Sequence, residues 1–488
     1  MKDIPRAASI RTTGPGSVPA MSSSDMSDVF GRAAALAAAF RDSLPERRVA
    51  SEVDLVGALA LFSDDLPADP TDPVEVVDEL ARRADPGIVA SAGPRFFGFV
   101  NGGGLPAASA ADMLTIGWDH PAFNAVLSPA SAAAELVAGG WVKELLGIPA
   151  GASVGFVTGA QAANTVGIAA ARQHLLAQRG YDVAARGLNG APAIRVLIGE
   201  ERHATIDASL RLLGLGTDCA EAVSAGPNGV MDMADLARAL DSGDPHAPTI
   251  VVLQTGNVNT GGCDDLRAGC DLAHARGAWV HVDGAFGLWA AASPAHRHLT
   301  DGIELADSWC TDAHKWLNVP YDSGLAICAH PESHAAAMSY SAAYLSGSES
   351  APGAGSYAPG DLVPESSRRA RGFAVWAALR QLGRSGVADL VDRCCSLATR
   401  LADGLAAGGV EIVNDVVINQ VLFGFPGRDA DAVAAAVQAE GTCWLGATTW
   451  RGRRLLRVSV SNYATTEADI DTSVTAILAA GRSVATGL

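Results

Sequence analysis

Between residues 155 and 283, short apolar runs alternate with segments of helical spacing, and this alternation limits the fold more than any other feature of the chain. The runs are GFV at 155–157, AIRVLIG at 193–199, TIVVLQT at 249–255 and the strand-like stretch at 278–282. Strand followed by helix, repeated, implies an α/β fold with a right-handed, mainly parallel sheet. Such sheets place their ligands at the carboxyl ends of the strands. His203, Asn257 and Asp283 each follow an apolar run at its C-terminal end, so the pattern predicts that they share one site.

Asp283 ends the run VHVD, and Lys315 follows at the centre of Asp-Ala-His-Lys-Trp. Alone, the aspartate reads as a strand-ending turn residue and the lysine as a solvated surface cation. Together they suit a pyridoxal phosphate (PLP) site. The lysine amine condenses with the cofactor aldehyde as a Schiff base, and the carboxylate keeps a proton on the pyridine nitrogen. Ala285 is small, as a chain passing under a planar ring requires. Residues 155–164 (GFVTGAQAAN) join an apolar run to a helix start. Free N–H groups at a helix N-terminus suit a phosphate, which makes Gly159, Ala160 and Gln161 the candidate cradle.

Composition removes several other classes. A net charge of −18 argues against a general nucleic-acid binder, which needs a basic face. The eight cysteines show no CxxC or Cys/His ligand spacing, so neither a metal site nor a disulfide framework is expected and a reducing cytoplasm is the default. No window has the roughly 18 apolar residues of a membrane span. The 488 residues suggest two to three domains. Residues 1–27 read as a disordered leader, 28–92 as a helical arm, 93–372 as the large α/β domain and 373–488 as a small α+β domain. The arm's helices have apolar faces that need a cover.

HVDGAFG and DAHKWLNVPYDSG together resemble the group II PLP-dependent amino-acid decarboxylases, relatives of aromatic-L-amino-acid decarboxylase and glutamate decarboxylase. The resemblance runs from about residue 96 to about residue 386. It implies the PLP-dependent transferase-like fold of the aspartate aminotransferase type I class. It also implies decarboxylation of an L-amino acid through Lys315, and a homodimer with the arm packed across the partner. His203 then stacks on the pyridine ring and helps position or protonate the reacting carbon. Gly159, Ala160 and Gln161 hold the phosphate, although the family often has serine where Gln161 stands.

Asn257 falls where the family commonly shows Gly-Thr-Thr beside the cofactor, and His314 is either a phosphate or substrate contact or a spacer. Phe96, Phe97, Phe99 and Trp118 are pocket candidates, hinting at an aromatic or bulky apolar substrate; an aromatic cluster closing a domain seam explains the first three as well. Residues 338–364 read as a long Gly/Ser/Pro/Tyr-rich loop. The resemblance makes it a closing loop with a proton-donating tyrosine, Tyr357 or else Tyr344. Arg368, Arg369 and Arg371 would tie its base. Aldehyde synthases and carbon–carbon lyases share this branch, and a PLP-binding or scaffold protein without turnover is the reading from another class.

Overall fold

A computed structural model of the protein describes residues 23–340 and 358–485. The chain divides after Ala90 into two compact units. Among its described residues the first holds three α-helices, α1 (Ser23–Ser43), α2 (Leu55–Phe62) and α3 (Pro73–Ala84). α1 begins inside the stretch expected to be leader. Each of the other two starts on an aspartate: Asp54 accepts from Gly57 N, and Asp72 accepts from Val74 N and Glu75 N ahead of a helix with Pro73 in its first turn.

The second unit opens with α4 (Pro106–Trp118) and α5 (Pro129–Leu146) and then builds a seven-stranded sheet. Its strands are β1 (Ser153–Val157), β2 (Arg195–Gly199), β3 (Ala220–Val223), β4 (Thr249–Gln254), β5 (Trp279–Asp283), β6 (Ser308–Asp312) and β7 (Gly324–Cys328), in the spatial order β1-β7-β6-β5-β4-β2-β3. β2 to β6 pair in parallel, and β7 runs antiparallel between β1 and β6. The α/β, mainly parallel expectation holds. Helices α6 (Ala160–Ala177), α7 (Val183–Arg186), α8 (Ala204–Leu212), α9 (Met233–Asp241), α10 (Leu266–His274) and α11 (Pro331–Met338) flank the sheet.

Period-two alternation sorts the strand side chains between its two faces. Val196, Ile198, Ile250 and Val252 pack with Ile168 and Leu175 of α6 and with Leu210 of α8. Leu197, Val251 and Leu253 pack instead with Leu236 of α9, Leu266 of α10 and Val142 of α5. Both faces are apolar, so these strands read as near-continuous hydrophobic runs.

A four-stranded antiparallel sheet follows, formed by β8 (Glu411–Ile412), β9 (Gln420–Gly424), β10 (Gly446–Trp450) and β11 (Arg453–Ser459) in the order β10-β11-β9-β8. It packs with α12 (Gly372–Ala407) and α13 (Ala430–Glu440), and α14 (Glu467–Ser483) packs on those two helices. α12 departs from helical geometry at Gly383, and α14 opens with a capping box of Thr466 and Asp469.

Candidate active site

The carboxyl ends of β4, β5 and β6 open into a cavity of about 240 Å³, closed on one side by the N-terminus of α6. Gly159, Ala160, Gln161, His203, Asp283, Ala285, His314 and Lys315, all candidates from the sequence, line it. Thr205, Gln254, Gly256, Val258, Phe286 and Asp312 complete the wall.

Asp283, the last residue of β5, is buried and has no ion-pair partner among the described residues. Its Oδ2 accepts from Asn164 Nδ2 at 3.3 Å, and its Oδ1 accepts from Cys310 Sγ and Ala285 N, each at 3.3 Å. Burial, with the nearby carboxylates, pushes the Cys310 thiol well above its ordinary pKa, so it stays protonated and can donate. A carboxylate held only by neutral donors keeps its charge available to a cation in the cavity.

Lys315 follows β6, and its Nζ lies 2.9 Å from Asp312 Oδ2. The other oxygen of Asp312 accepts from Ala160 N at 2.6 Å, so a side chain from β6 caps the first turn of α6. His314 stacks on Tyr321 at 4.1 Å and accepts from Ser323 N through Nδ1. Its Nε2 stands 3.5 Å from Asp312, and burial lowers its pKa below the ordinary 6.5.

The turn carrying Lys315 is pinned from two sides. Asn318 accepts from Gly103 N and Tyr463 N and donates to Trp316 O and Ser461 O. A Cβ at Gly102 would lie 2.3 Å from Lys315 O, so the glycine loop at 102–104 approaches this backbone as only glycine allows.

His203 caps α8, with Nδ1 accepting from Thr205 N at 3.3 Å and bonded to Thr205 Oγ1 at 2.8 Å. In the neutral ring the proton therefore sits on Nε2. Its pKa is lowered, chiefly by desolvation; Lys315 and Arg457 add to the effect and Asp283 opposes it.

Several candidates stand elsewhere. Asn257 does not line the cavity. Its amide donates to Glu201 O and Gln254 Oε1, and its oxygen accepts from Asn259 N and Thr260 N, as a turn-forming side chain does. Phe96 and Phe97 are buried; Phe96 stacks on Trp444 at 5.0 Å, and Phe97 N donates to Trp444 O. They form an aromatic seam with the small sheet's domain. Phe99 stacks on the same Trp444 but is exposed, and Trp118 is exposed at the end of α4, edge-on to Phe373. None of the four lines this chain's cavity. Tyr357 and Tyr344 lie outside the described residues. The arginines beyond them form ion pairs: Arg368 with Glu135, Arg369 with Asp112 and Arg371 with Asp322.

Sequence reasoning missed Asp312, although it sits three residues before Lys315 in a motif already singled out. It missed Gln254 at the end of β4 as well. Arg457 carries no sequence signal of its own. It is half-buried on β11 and, among the described residues, bonded only to neutral acceptors, Phe99 O, Val258 O, Gln420 Oε1 and Ser459 Oγ. Burial lowers its pKa to about 10, which still leaves a cation at neutral pH.

The cavity fits pyridoxal phosphate. It offers an aspartate with lone pairs to spare, a lysine amine and a helix N-terminus in one wall. A Cβ at Gly159 would come within 3.1 Å of His314 and 3.3 Å of Asp312, so a larger residue in the cradle would press on both side chains. A phosphate using Ala160 N shares that donor with Asp312 or displaces it.

The family model described as the pyridoxal-dependent decarboxylase conserved domain matches residues 57–425. The chain belongs to that family. Among curated relatives, it is 26% identical to the aromatic-L-amino-acid decarboxylase of Bacillus atrophaeus, over 74% of each chain. It is 27% identical to the cysteine sulfinic acid decarboxylase of Homo sapiens, over 78% of this chain and 80% of that one. The solved structure of Oryza sativa TDC with PLP and tryptamine superposes with a TM-score of 0.85 at 21% identity, covering 96% of this chain and 99% of that one. At that identity the superposition speaks for the fold. Among the described residues no helix is long and apolar enough to cross a membrane, and no group of three or more His, Cys, Asp or Glu is placed to hold a metal ion.

Proposed function

We propose that this protein removes the carboxylate of an L-amino acid as CO₂, leaving the amine, with pyridoxal phosphate bound in the cavity at the ends of β4, β5 and β6. The observation that carries the reading is one cavity that joins a lysine amine to a buried aspartate with no cationic partner among the described residues. When bound, the cofactor supplies a ring that accepts the electron pair left by the departing CO₂. Asp283 holds the proton on its ring nitrogen. Lys315 Nζ is the amine that would hold the cofactor's aldehyde. His203 lines the cavity with Nδ1 committed to Thr205, which leaves Nε2–H to place or protonate the reacting carbon. Arg457 does not line the cavity, but its charge acts on His203, which supports a role in drawing a carboxylate toward the site.

Phe96, Phe97, Phe99 and Trp118 do not line the cavity of this chain, and the exposed Phe99 and Trp118 remain candidates for the pocket of a partner subunit in the proposed dimer. The substrate is therefore defined here by its α-amino and α-carboxylate groups.

We also read the protein as a cytoplasmic homodimer. All eight cysteines are free thiols, which supports a reducing compartment. α2 buries none of its residues and exposes Leu55, Val56, Leu59 and Phe62, while α4 exposes Leu114, Ile116 and Trp118. Apolar faces of this kind support a second copy as their cover. Sedimentation showing a fully active monomer would refute the dimer.

The activity is tested with PLP-saturated protein and a panel of L-amino acids, following CO₂, amine, aldehyde and hydrogen peroxide together. CO₂ and amine in equal amounts, without peroxide, is the expected result. Aldehyde with peroxide would replace this reading with oxidative chemistry, and aldehyde without CO₂ with carbon–carbon cleavage.

A further inference from the structure

Behind Asp283, away from the cavity, a line of polar groups crosses the interior of the sheet. Asn164 of α6 donates through Nδ2 to Asp283 Oδ2 at 3.3 Å. Its Oδ1 lies 2.8 Å from His281 Nε2, and His281 Nδ1 lies 2.8 Å from Ser308 Oγ. Trp279 Nε1 reaches the same Ser308 oxygen at 2.9 Å. Asn164, His281 and Ser308 are completely buried.

The direction of every bond is fixed. An ionised carboxylate only accepts, so Asn164 must turn its NH₂ toward Asp283 and its oxygen toward His281. His281 must then donate from Nε2. Burial lowers the His281 pKa to about 4, so the ring is neutral and Nδ1 is an acceptor. Ser308 therefore donates to His281 and accepts from Trp279, whose indole N–H can only donate. Protons point one way along the chain, from Trp279 through Ser308, His281 and Asn164 to Asp283.

The helix facing this line is shaped to admit it. A Cβ at Gly167 of α6 would lie 2.5 Å from His281 Cε1 and 2.7 Å from its Nδ1. A glycine in the middle of a helix is destabilising relative to alanine. An apolar set of similar volume would fill this layer without that cost and without desolvating polar groups. The geometry points to a role outside packing: we propose that Asn164, His281 and Ser308 are positioning residues that lock the rotamer of Asp283 and present it with donors only, so that its carboxylate is aimed at the ring nitrogen of the cofactor. The inference rests on the reading of the cavity as a pyridoxal phosphate site.

The test measures the dissociation constant of pyridoxal phosphate by absorbance titration, together with the pH titration of the bound cofactor's visible band, for the wild-type chain, His281→Leu, His281→Gln and Ser308→Ala. Thermal midpoints of the cofactor-free proteins report folding. Glutamine carries an acceptor and a donor at about the spacing of the two ring nitrogens and can preserve the direction of the line. His281→Leu is expected to weaken cofactor binding at least tenfold and to shift the band's titration, with His281→Gln within about threefold of wild type. Ser308→Ala, the smallest deletion and the farthest from the cavity, is expected to weaken binding three- to tenfold, and it carries the test if His281→Leu does not fold. Binding and titration unchanged in His281→Leu or in Ser308→Ala would overturn the proposal. So would His281→Gln failing as badly as His281→Leu, since packing alone would then explain both. A wild-type chain that binds no pyridoxal phosphate would refute the cofactor reading itself, and the relay with it.

Discussion

Replacing Arg368 with methionine is expected to cost about 3–5 kcal/mol of stability, because it strands a fully buried carboxylate. Arg368 reaches Glu135 of α5 through two bonds of 2.7 Å, with side-chain exposures of 1% and 0%. Desolvation already raises the pKa of Glu135 above its ordinary value, and Arg368 is the larger of the two cationic influences that oppose the rise. Without Arg368 the rise grows. A carboxyl whose folded pKa lies above its unfolded pKa holds its proton longer in the folded chain. The penalty is therefore absent below the unfolded pKa and increases as pH climbs from there through the folded pKa. Arg368→Met should lose more stability at pH 8 than at pH 5, read as urea and thermal midpoints. The double variant Glu135→Leu with Arg368→Met should recover most of the loss, since a buried ion pair adds little beyond an apolar pair of similar volume. A single variant within about 1 kcal/mol of wild type at both pH values, or a double variant no better than the single, would refute the reasoning.

Lys315→Ala should abolish turnover and the visible band of the bound cofactor; retention of both would remove Lys315 from the chemistry. Asp283→Ala should lower kcat/KM by about a hundredfold or more, as loss of a charge aimed at the reacting system does, while the melting point of the cofactor-free protein moves little. An unchanged rate would exclude Asp283 from the site. Asp312→Asn keeps an acceptor for Ala160 N but removes the negative charge beside the candidate phosphate cradle, so pyridoxal phosphate should bind about tenfold tighter, roughly 1.4 kcal/mol; equal or weaker binding would show that the carboxylate does not compete. Because the His203 pKa is lowered, its neutral form persists further into acid than that of a free imidazole. The acid limb of kcat/KM should accordingly fall below pH 6.5, and a limb assigned to His203 at or above 6.5 would contradict the geometry.

Most of the fold was legible because buried parallel strands are unbroken apolar runs, and β1, β2, β4 and β5 all announce themselves that way. β3 and β10 did not, since Ala-Glu-Ala-Val and Gly-Ala-Thr-Thr-Trp lack an apolar run and owe their state to pairing with β2 and β11. Asp283, Lys315 and His203 could be read because each stands at the end of a strand-like run or in a distinctive motif. Asn257 shared that position, yet its amide closes its own turn, a local competition that strand ends cannot reveal. Phe96 and Phe97 carried two readings, a pocket wall and a domain seam, and their burial in this chain answers to the second. An aromatic run signals burial, and here the burial is against Trp444, more than 300 residues away. Asn164 and His281 looked like ordinary helix and strand residues because their partners come together only when α6 lies across β5 and β6.

Asp283 and Asp312 end neighbouring strands, and both carboxylates face one cavity, so the fold must make them different. It does so through their partners. Asp312 is held by a cation, Lys315 Nζ at 2.9 Å, and by the first amide of α6. Asp283 is held by an amide, a thiol and a backbone N–H, none of them charged. A carboxylate already paired with an ammonium group gains less from a second cation than one paired with none, because much of its field is already cancelled. Asp283 on β5 would therefore be the carboxylate to hold a protonated ring nitrogen of the proposed cofactor, and Lys315, paired with Asp312, would be the amine to hold its aldehyde. Exchanging the two environments, rather than the two aspartates, would be needed to reverse that choice.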